Sequence, residues 1–195
     1  NLGASYYRLN KINKAITCFS KALNFKKDFA EAYNNMGNAA RKLYKFKEAI
    51  EYFEKAIKIK TNYAEAYNNI GGVNEELGNK QEALDNYKKA VKINPNYADV
   101  YNNLGSVYSD LSKSEEALIN YNKAISLKPK NEKFYNNLGN LFNDLGRYDE
   151  ANTTLQKAIK IKPDYAKAYS NLLFNLNYKV NFDSSLYLSE AKKFR

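Results

Sequence analysis

Along this chain the apolar positions fall into short stripes at helical spacing, and the stripes come in pairs. Tyr33, Met36, Gly37, Ala40 and Leu43 stand at i, i+3, i+4, i+7 and i+10, which is one face of a helix. After Tyr44 and Lys45 a second stripe runs through Ala49, Ile50, Phe53, Ala56 and Ile57. Each pair predicts a helical hairpin. The pattern then returns: EAYNNMG begins at Glu31, EAYNNIG at Glu65, DVYNNLG at Asp99, KFYNNLG at Lys133 and KAYSNLL at Lys167, each 34 residues after the last. A period of this size predicts an all-α repeat array spanning 1–195, held together by contacts between neighbours rather than by one central core. The units are a partial repeat at 1–29, full repeats at 30–63, 64–97, 98–131 and 132–165, and a degenerate repeat or cap at 166–195.

Small residues and breakers repeat with the same period. Gly37, Gly71, Gly105 and Gly139 sit inside the first helix of each unit, where glycine costs roughly 1 kcal/mol against alanine. Close approach of a neighbouring helix is the expected compensation. Ala49, Ala83, Ala117 and Ala151, with Ala56, Ala90, Ala124 and Ala158, leave room between the paired helices. Gly78 and Gly146 are placed to end first helices in the left-handed conformation. Tyr44 and Ser112 occupy the same place and are expected to end theirs without it. Pro95, Pro129 and Pro163 stop second helices, and Thr61 stands where another proline would fall.

Composition narrows the function. The 195 residues carry a net charge of +10, a single cysteine and no histidine, and no stretch is apolar enough to span a membrane. The usual zinc sets and histidine-based acid–base chemistry are missing, so neither a metal nor another cofactor is expected. Cys18 lies in a second helix and is expected to pack rather than react. Gly71-Gly72 falls inside a helix with no following Gly-Lys-Ser/Thr, so it is not read as a phosphate loop. The chain reads as non-catalytic, and a lone cysteine suits a cytoplasmic location. It opens NLGASYYRL, without an initiator methionine or a secretory signal, and reads as a piece of a longer protein.

A basic balance points first to nucleic acid. The lysines are concentrated in second helices and loops, however, at Lys55, Lys58, Lys60, Lys88, Lys89, Lys92, Lys123, Lys128, Lys157, Lys160 and Lys162. The recurring Tyr33, Tyr67, Tyr101, Tyr135 and Tyr169 are expected to pack between repeats rather than stack on bases. A solvated outer face is the expectation, and nucleic acid is not an expected partner.

The order aromatic, Leu-Gly, Ala, aromatic, Ala, Pro at this period resembles the tetratricopeptide repeat. That resemblance implies a right-handed α-solenoid of antiparallel helix pairs, with first helices lining a concave groove that binds protein or peptide. The groove is then read in columns. One runs Asn1, Asn35, Asn69, Asn103, Asn137, Asn171, and beside it Asn34, Asn68, Asn102, Asn136, Ser170. Two more are Ala4, Asn38, Gly72, Ser106, Asn140, Phe174 and Arg8, Lys42, Glu76, Asp110, Asp144, Tyr178. An asparagine amide offers a donor and an acceptor, so a column of them suits the main chain of an extended ligand. Asn35, Asn69, Asn103, Asn137, Asn171, Asn38, Asn140, Lys42, Glu76, Asp110 and Asp144 are the candidate peptide-binding residues.

The unbroken asparagine column and the tail from Ala168 further resemble the repeat arm of O-GlcNAc-transferase-like and SPINDLY-type glycosyltransferases. This implies that the column holds acceptor-protein main chain for a catalytic part that these residues do not include. A stand-alone adaptor for complex assembly is the alternative. The carboxylate clamp of chaperone-binding repeats is not matched, since Asn102, Asn136 and Ser170 stand where its first lysine is needed. Leu2, Tyr6 and Leu9 lack a preceding repeat, and with Ser185 replacing alanine in the tail this makes end-to-end self-association the expected mode of any oligomer.

Overall fold

The computed structural model describes residues 2–178 and Lys192. Asn1, the Tyr178 side chain, Ser185 and the rest of the tail lie outside the described residues. Eleven helices and no strand make up the described part. Residues 1–95 form one compact unit and residues 96–195 a second. The first holds α1 (Leu2–Arg8), α2 (Ile12–Phe25), α3 (Ala30–Lys42), α4 (Phe46–Ile59), α5 (Ala64–Glu76) and α6 (Lys80–Ile93). The second holds α7 (Ala98–Asp110), α8 (Ser114–Leu127), α9 (Glu132–Asp144), α10 (Tyr148–Ile161) and α11 (Ala166–Tyr178). Odd-numbered helices are the first helices of the repeats. Short turns fold each back against the helix that follows, and within each unit the hairpins stack on their neighbours.

The core is a series of small clusters, one per hairpin and its neighbour. Around α4, for example, Ala49, Phe53 and Ala56 are fully buried against Ala40, Ala66, Ile70 and Val73. The mid-helix glycines answer to these rings. A Cβ on Gly37 would stand 2.5 Å from Phe53 Cε1, and one on Gly71 would stand 2.5 Å from Tyr87 Cε1. The neighbouring helix that approaches is the glycine's own partner in the hairpin, and a large side chain on it fills the space a Cβ would take. In the α9–α10 hairpin the side chain is Leu155, at 2.8 Å from a Cβ built on Gly139.

The turns between paired helices depart from the expectation at Tyr44 and Ser112. Both adopt the left-handed conformation, at φ 59° and 58°, as do Asn10, Gly78 and Gly146. The hydrogen bonds explain why. Tyr44 N–H donates to Arg41 O at 2.9 Å and Lys45 N–H to Ala40 O at 2.9 Å, the paired bonds of a Schellman ending. The same two bonds recur at Gly78-Asn79, Ser112-Lys113 and Gly146-Arg147. The short turn requires a left-handed residue, and the residue present supplies it with or without glycine. Proline is similarly dispensable at the other end: α4 stops at Ile59 before Thr61 in the register in which α6, α8 and α10 stop two residues before a proline.

Candidate functional site: the first-helix face

Neighbouring first helices in a unit touch with two sequence offsets, 35 and 31, which differ by 4, one helical turn. At the offset of 35, Asn69 Nδ2 donates to Asn34 Oδ1 at 2.9 Å in the first unit. In the second unit Asn137 Nδ2 donates to Asn102 Oδ1 at 3.0 Å and Asn171 Nδ2 to Asn136 Oδ1 at 3.1 Å. At the offset of 31, Asn34 Nδ2 donates to Glu65 Oε1 at 3.0 Å and Asn171 Nδ2 to Asn140 Oδ1 at 2.6 Å. The two asparagine columns are thus donor and acceptor to one another. Asn34, 1% exposed, and Asn136, 4% exposed, are buried amides whose desolvation these bonds offset. Asn35, Asn103, Asn137 and Asn171 are half-buried and Asn69 is buried. Asn35 makes no bond of this kind among the described residues.

Charged side chains use the same offset. Arg41 donates from Nε at 3.0 Å and Nη2 at 2.6 Å to Glu76 Oε1. Its guanidinium lies across Gly72, where an added Cβ would come within 2.9 Å of both terminal nitrogens. Gly72 belongs to this contact, not to a phosphate loop.

Two polar clefts lie on this face, one in each unit. The first, of about 360 Å³, is lined by Tyr7, Asn38, Arg41, Lys42, Tyr44 and Glu76. Tyr7 donates its hydroxyl to Asn38 O at 3.4 Å, and partial burial raises its pKa against the opposing charge of Arg41. The second, of about 200 Å³, is lined chiefly by Ser106, Ser109, Asp110, Asn137, Asn140 and Asp144. Among the sequence-derived candidates, Asn38, Lys42 and Glu76 meet in one cleft and Asp110, Asn137, Asn140 and Asp144 in the other. Asn35, Asn69, Asn103 and Asn171 line neither. Sequence reasoning missed Tyr7, Arg41, Tyr44, Ser106 and Ser109 as lining residues. The first cleft is walled by two cations and one acid, the second by two acids.

The outer lysines named above are exposed. The tyrosine column behind them is less closed than expected: Tyr33, Tyr67, Tyr101 and Tyr135 are half-buried and only Tyr169 is buried. Among the described residues no group of three or more acids or cysteines is arranged to hold a metal ion. No helix of the described residues is long and apolar enough to cross a membrane.

Stacked helical hairpins with a polar first-helix face define a helical-repeat scaffold. Profiles described as tetratricopeptide repeat match residues 28–95 and 86–119, and one described as TPR repeat matches 3–43, 105–146 and 139–172. The chain belongs to the tetratricopeptide repeat family. Among solved structures, MamA is 30% identical, with 85% of this chain and 90% of that one covered at a TM-score of 0.68. YrrB, described as a TPR protein with an unusual peptide-binding site, is 25% identical over 90% of each chain at a TM-score of 0.68. A thermophilic TPR protein of Thermus thermophilus, 24% identical over 90% of this chain and 96% of that one at a TM-score of 0.74, shares the fold. No curated protein matches the sequence. The chain is thus a repeat protein of a family whose members bind protein or peptide partners.

Proposed function

We propose that this protein is an interaction scaffold that binds extended protein segments along its first-helix face. The observation that carries the reading is the pair of polar clefts built by first-helix side chains, with Arg41, Lys42 and Asn38 in one unit and Asp110, Asn140 and Asp144 in the other. The amides that join repeats hold these side chains in register; the half-buried Asn137 spends one N–H on Asn102 and keeps the other for ligand main chain, whereas Asn171 spends both on Asn136 and Asn140. Taken each by itself, the first cleft matches an acidic side chain of a ligand and the second a basic one. YrrB's described peptide-binding site supports a peptide ligand on this fold.

The test is peptide selection on the wild type and on two exposed charge reversals. Lys42→Glu is expected to deplete acidic side chains from the selected peptides, and Asp144→Lys to deplete basic ones. Identical peptide sets from all three proteins overturn the reading.

The finer reading, an acceptor-binding arm of an O-GlcNAc-transferase-like protein in the cytoplasm, draws its support from the asparagine column. Because inter-repeat bonding gives that column a reason of its own, a stand-alone adaptor is served equally, and sequence following Arg195 decides between them. Leu2 and Leu9, 63% and 65% exposed, favour end-to-end association of any oligomer. A strict monomer in concentrated sedimentation runs removes that part.

A further inference from the structure

The outer surface carries a box that recurs with the repeat: a tyrosine early in the first helix and Lys-x-x-Lys-Ile late in the second. It reads Tyr33 with Lys55, Lys58 and Ile59, then Tyr67 with Lys89, Lys92 and Ile93, then Tyr135 with Lys157, Lys160 and Ile161. In the first two instances the box is closed by its own lysine. Lys55 Nζ lies 6.0 Å from the Tyr33 ring centroid and Lys89 Nζ 5.7 Å from that of Tyr67, both in cation–π range.

The third instance is open. Among the described residues no lysine covers Tyr135, whose hydroxyl is turned aside to donate to Pro129 O at 3.2 Å. Between Pro129, Tyr135 and Ile161 lies a mainly apolar cleft of about 570 Å³, larger than either cleft of the first-helix face. Lys130, Lys157 and Lys160 form its rim, all exposed and none in an ion pair among the described residues. Glu132, the acid closest in sequence, acts on Tyr165, whose pKa it helps to raise after burial. An apolar floor ringed by three unpaired cations fits one kind of occupant, a bulky apolar side chain with carboxylates on either side.

We propose that this cleft is a second docking site, on the outer face, for an acidic protein segment anchored by one aromatic or leucine side chain. It is independent of the first-helix face and leaves that face free for its own ligand.

The test uses the full chain and a fluorescein-labelled peptide with one phenylalanine between pairs of glutamates. Fluorescence anisotropy is expected to show saturable binding that weakens about tenfold with Lys157→Glu and Lys160→Glu together. Circular dichroism of the variant is expected to match the wild type, because both lysines are exposed. Replacing the peptide's phenylalanine by alanine is expected to cost a further factor of about ten, the worth of an apolar anchor. Asn38→Ala with Lys42→Ala is expected to leave this binding unchanged, which separates it from the first-helix face. Equal binding of the alanine peptide, an unaffected charge-reversed variant, or displacement of the peptide by a single-stranded oligonucleotide at equal charge overturns the proposal.

Discussion

Replacing Gly71 by alanine sets two effects of known sign against each other. Alanine is the better helix former by about 1 kcal/mol, and Gly71 sits inside α5, so propensity alone stabilises the variant. Packing opposes it. The new Cβ would stand 2.5 Å from Cε1 and 2.6 Å from Cδ1 of Tyr87, where carbon atoms rest comfortably at about 3.5–4.0 Å. The ring has to move by about 1 Å, and it has nowhere to go: Tyr87 is 1% exposed. Its hydroxyl also donates to Glu75 Oε2 at 2.7 Å, so displacement strains that bond. Overpacking of this kind costs about 1–3 kcal/mol and the weakened hydrogen bond about 1 kcal/mol. The net expectation is a loss of about 2 kcal/mol, read as a fall in Tm of about 4–8 °C for a chain of this size.

Thermal and urea unfolding followed by circular dichroism measure it. The decisive arm is a double-mutant cycle with Tyr87→Leu, the pairing that the chain itself uses at Gly139 and Leu155. In that background the alanine is expected to cost less, because the smaller and more flexible leucine gives way more easily than the ring, though the Gly139 pairing, at 2.8 Å, is itself tight. A Gly71→Ala variant at least as stable as wild type, or an equal penalty in both backgrounds, refutes the steric account.

Other expectations follow from the turns, the amides and the buried phenols. Tyr44→Gly and Ser112→Gly each relieve a left-handed residue of its Cβ and are expected to stabilise by about 1 kcal/mol in urea unfolding. Only Tyr44→Gly, which removes a wall of the first cleft, is expected also to weaken peptide binding. Asn34→Ala strands the Asn69 amide and the Glu65 contact and is expected to cost about 1–3 kcal/mol. Asn35→Ala is expected to leave stability unchanged, making it the cleaner probe of ligand binding in that column. Burial first, and then the Glu75 carboxylate, raise the pKa of Tyr87 above its ordinary 10.0. The unfolded phenol therefore ionises while the folded one keeps its proton. Stability is full below about pH 10 and falls above it, by up to about 1.4 kcal/mol per pH unit for this one group. Urea midpoints across that range should decline less steeply in Tyr87→Phe.

The fold was legible because its information is periodic. Five motif starts in register place the first helices, and the paired stripes place the second, without any knowledge of which repeats touch. Prolines and glycines were weaker guides. Thr61 does what Pro95 does, and Tyr44 what Gly78 does, because the hydrogen bonding of the turn, not the residue, decides the ending.

The candidate site was only half legible. Columns identify which residues share a face, but a column treats each repeat alone, whereas contact joins residue i to i+31 and i+35 of the next repeat. Both asparagine columns were visible, yet their mutual bonding required the one-turn offset to be added to the period. The Arg41–Glu76 pair, at 35, was available to the same arithmetic. Tyr7, 31 residues before Asn38, was open to it as well; Tyr44 carried no such signal, because it sits in a turn, where periodicity says least.

The amide bonds between first helices have a consequence for how such a chain can change length. A repeat such as 132–165 brings both halves of a joint, Asn136 to accept from the repeat after it and Asn137 to donate to the repeat before it. A duplicated copy would therefore arrive with its connectors already made, and a deleted one would leave compatible ends behind. Recombination within the gene can lengthen or shorten the scaffold without inventing a new interface.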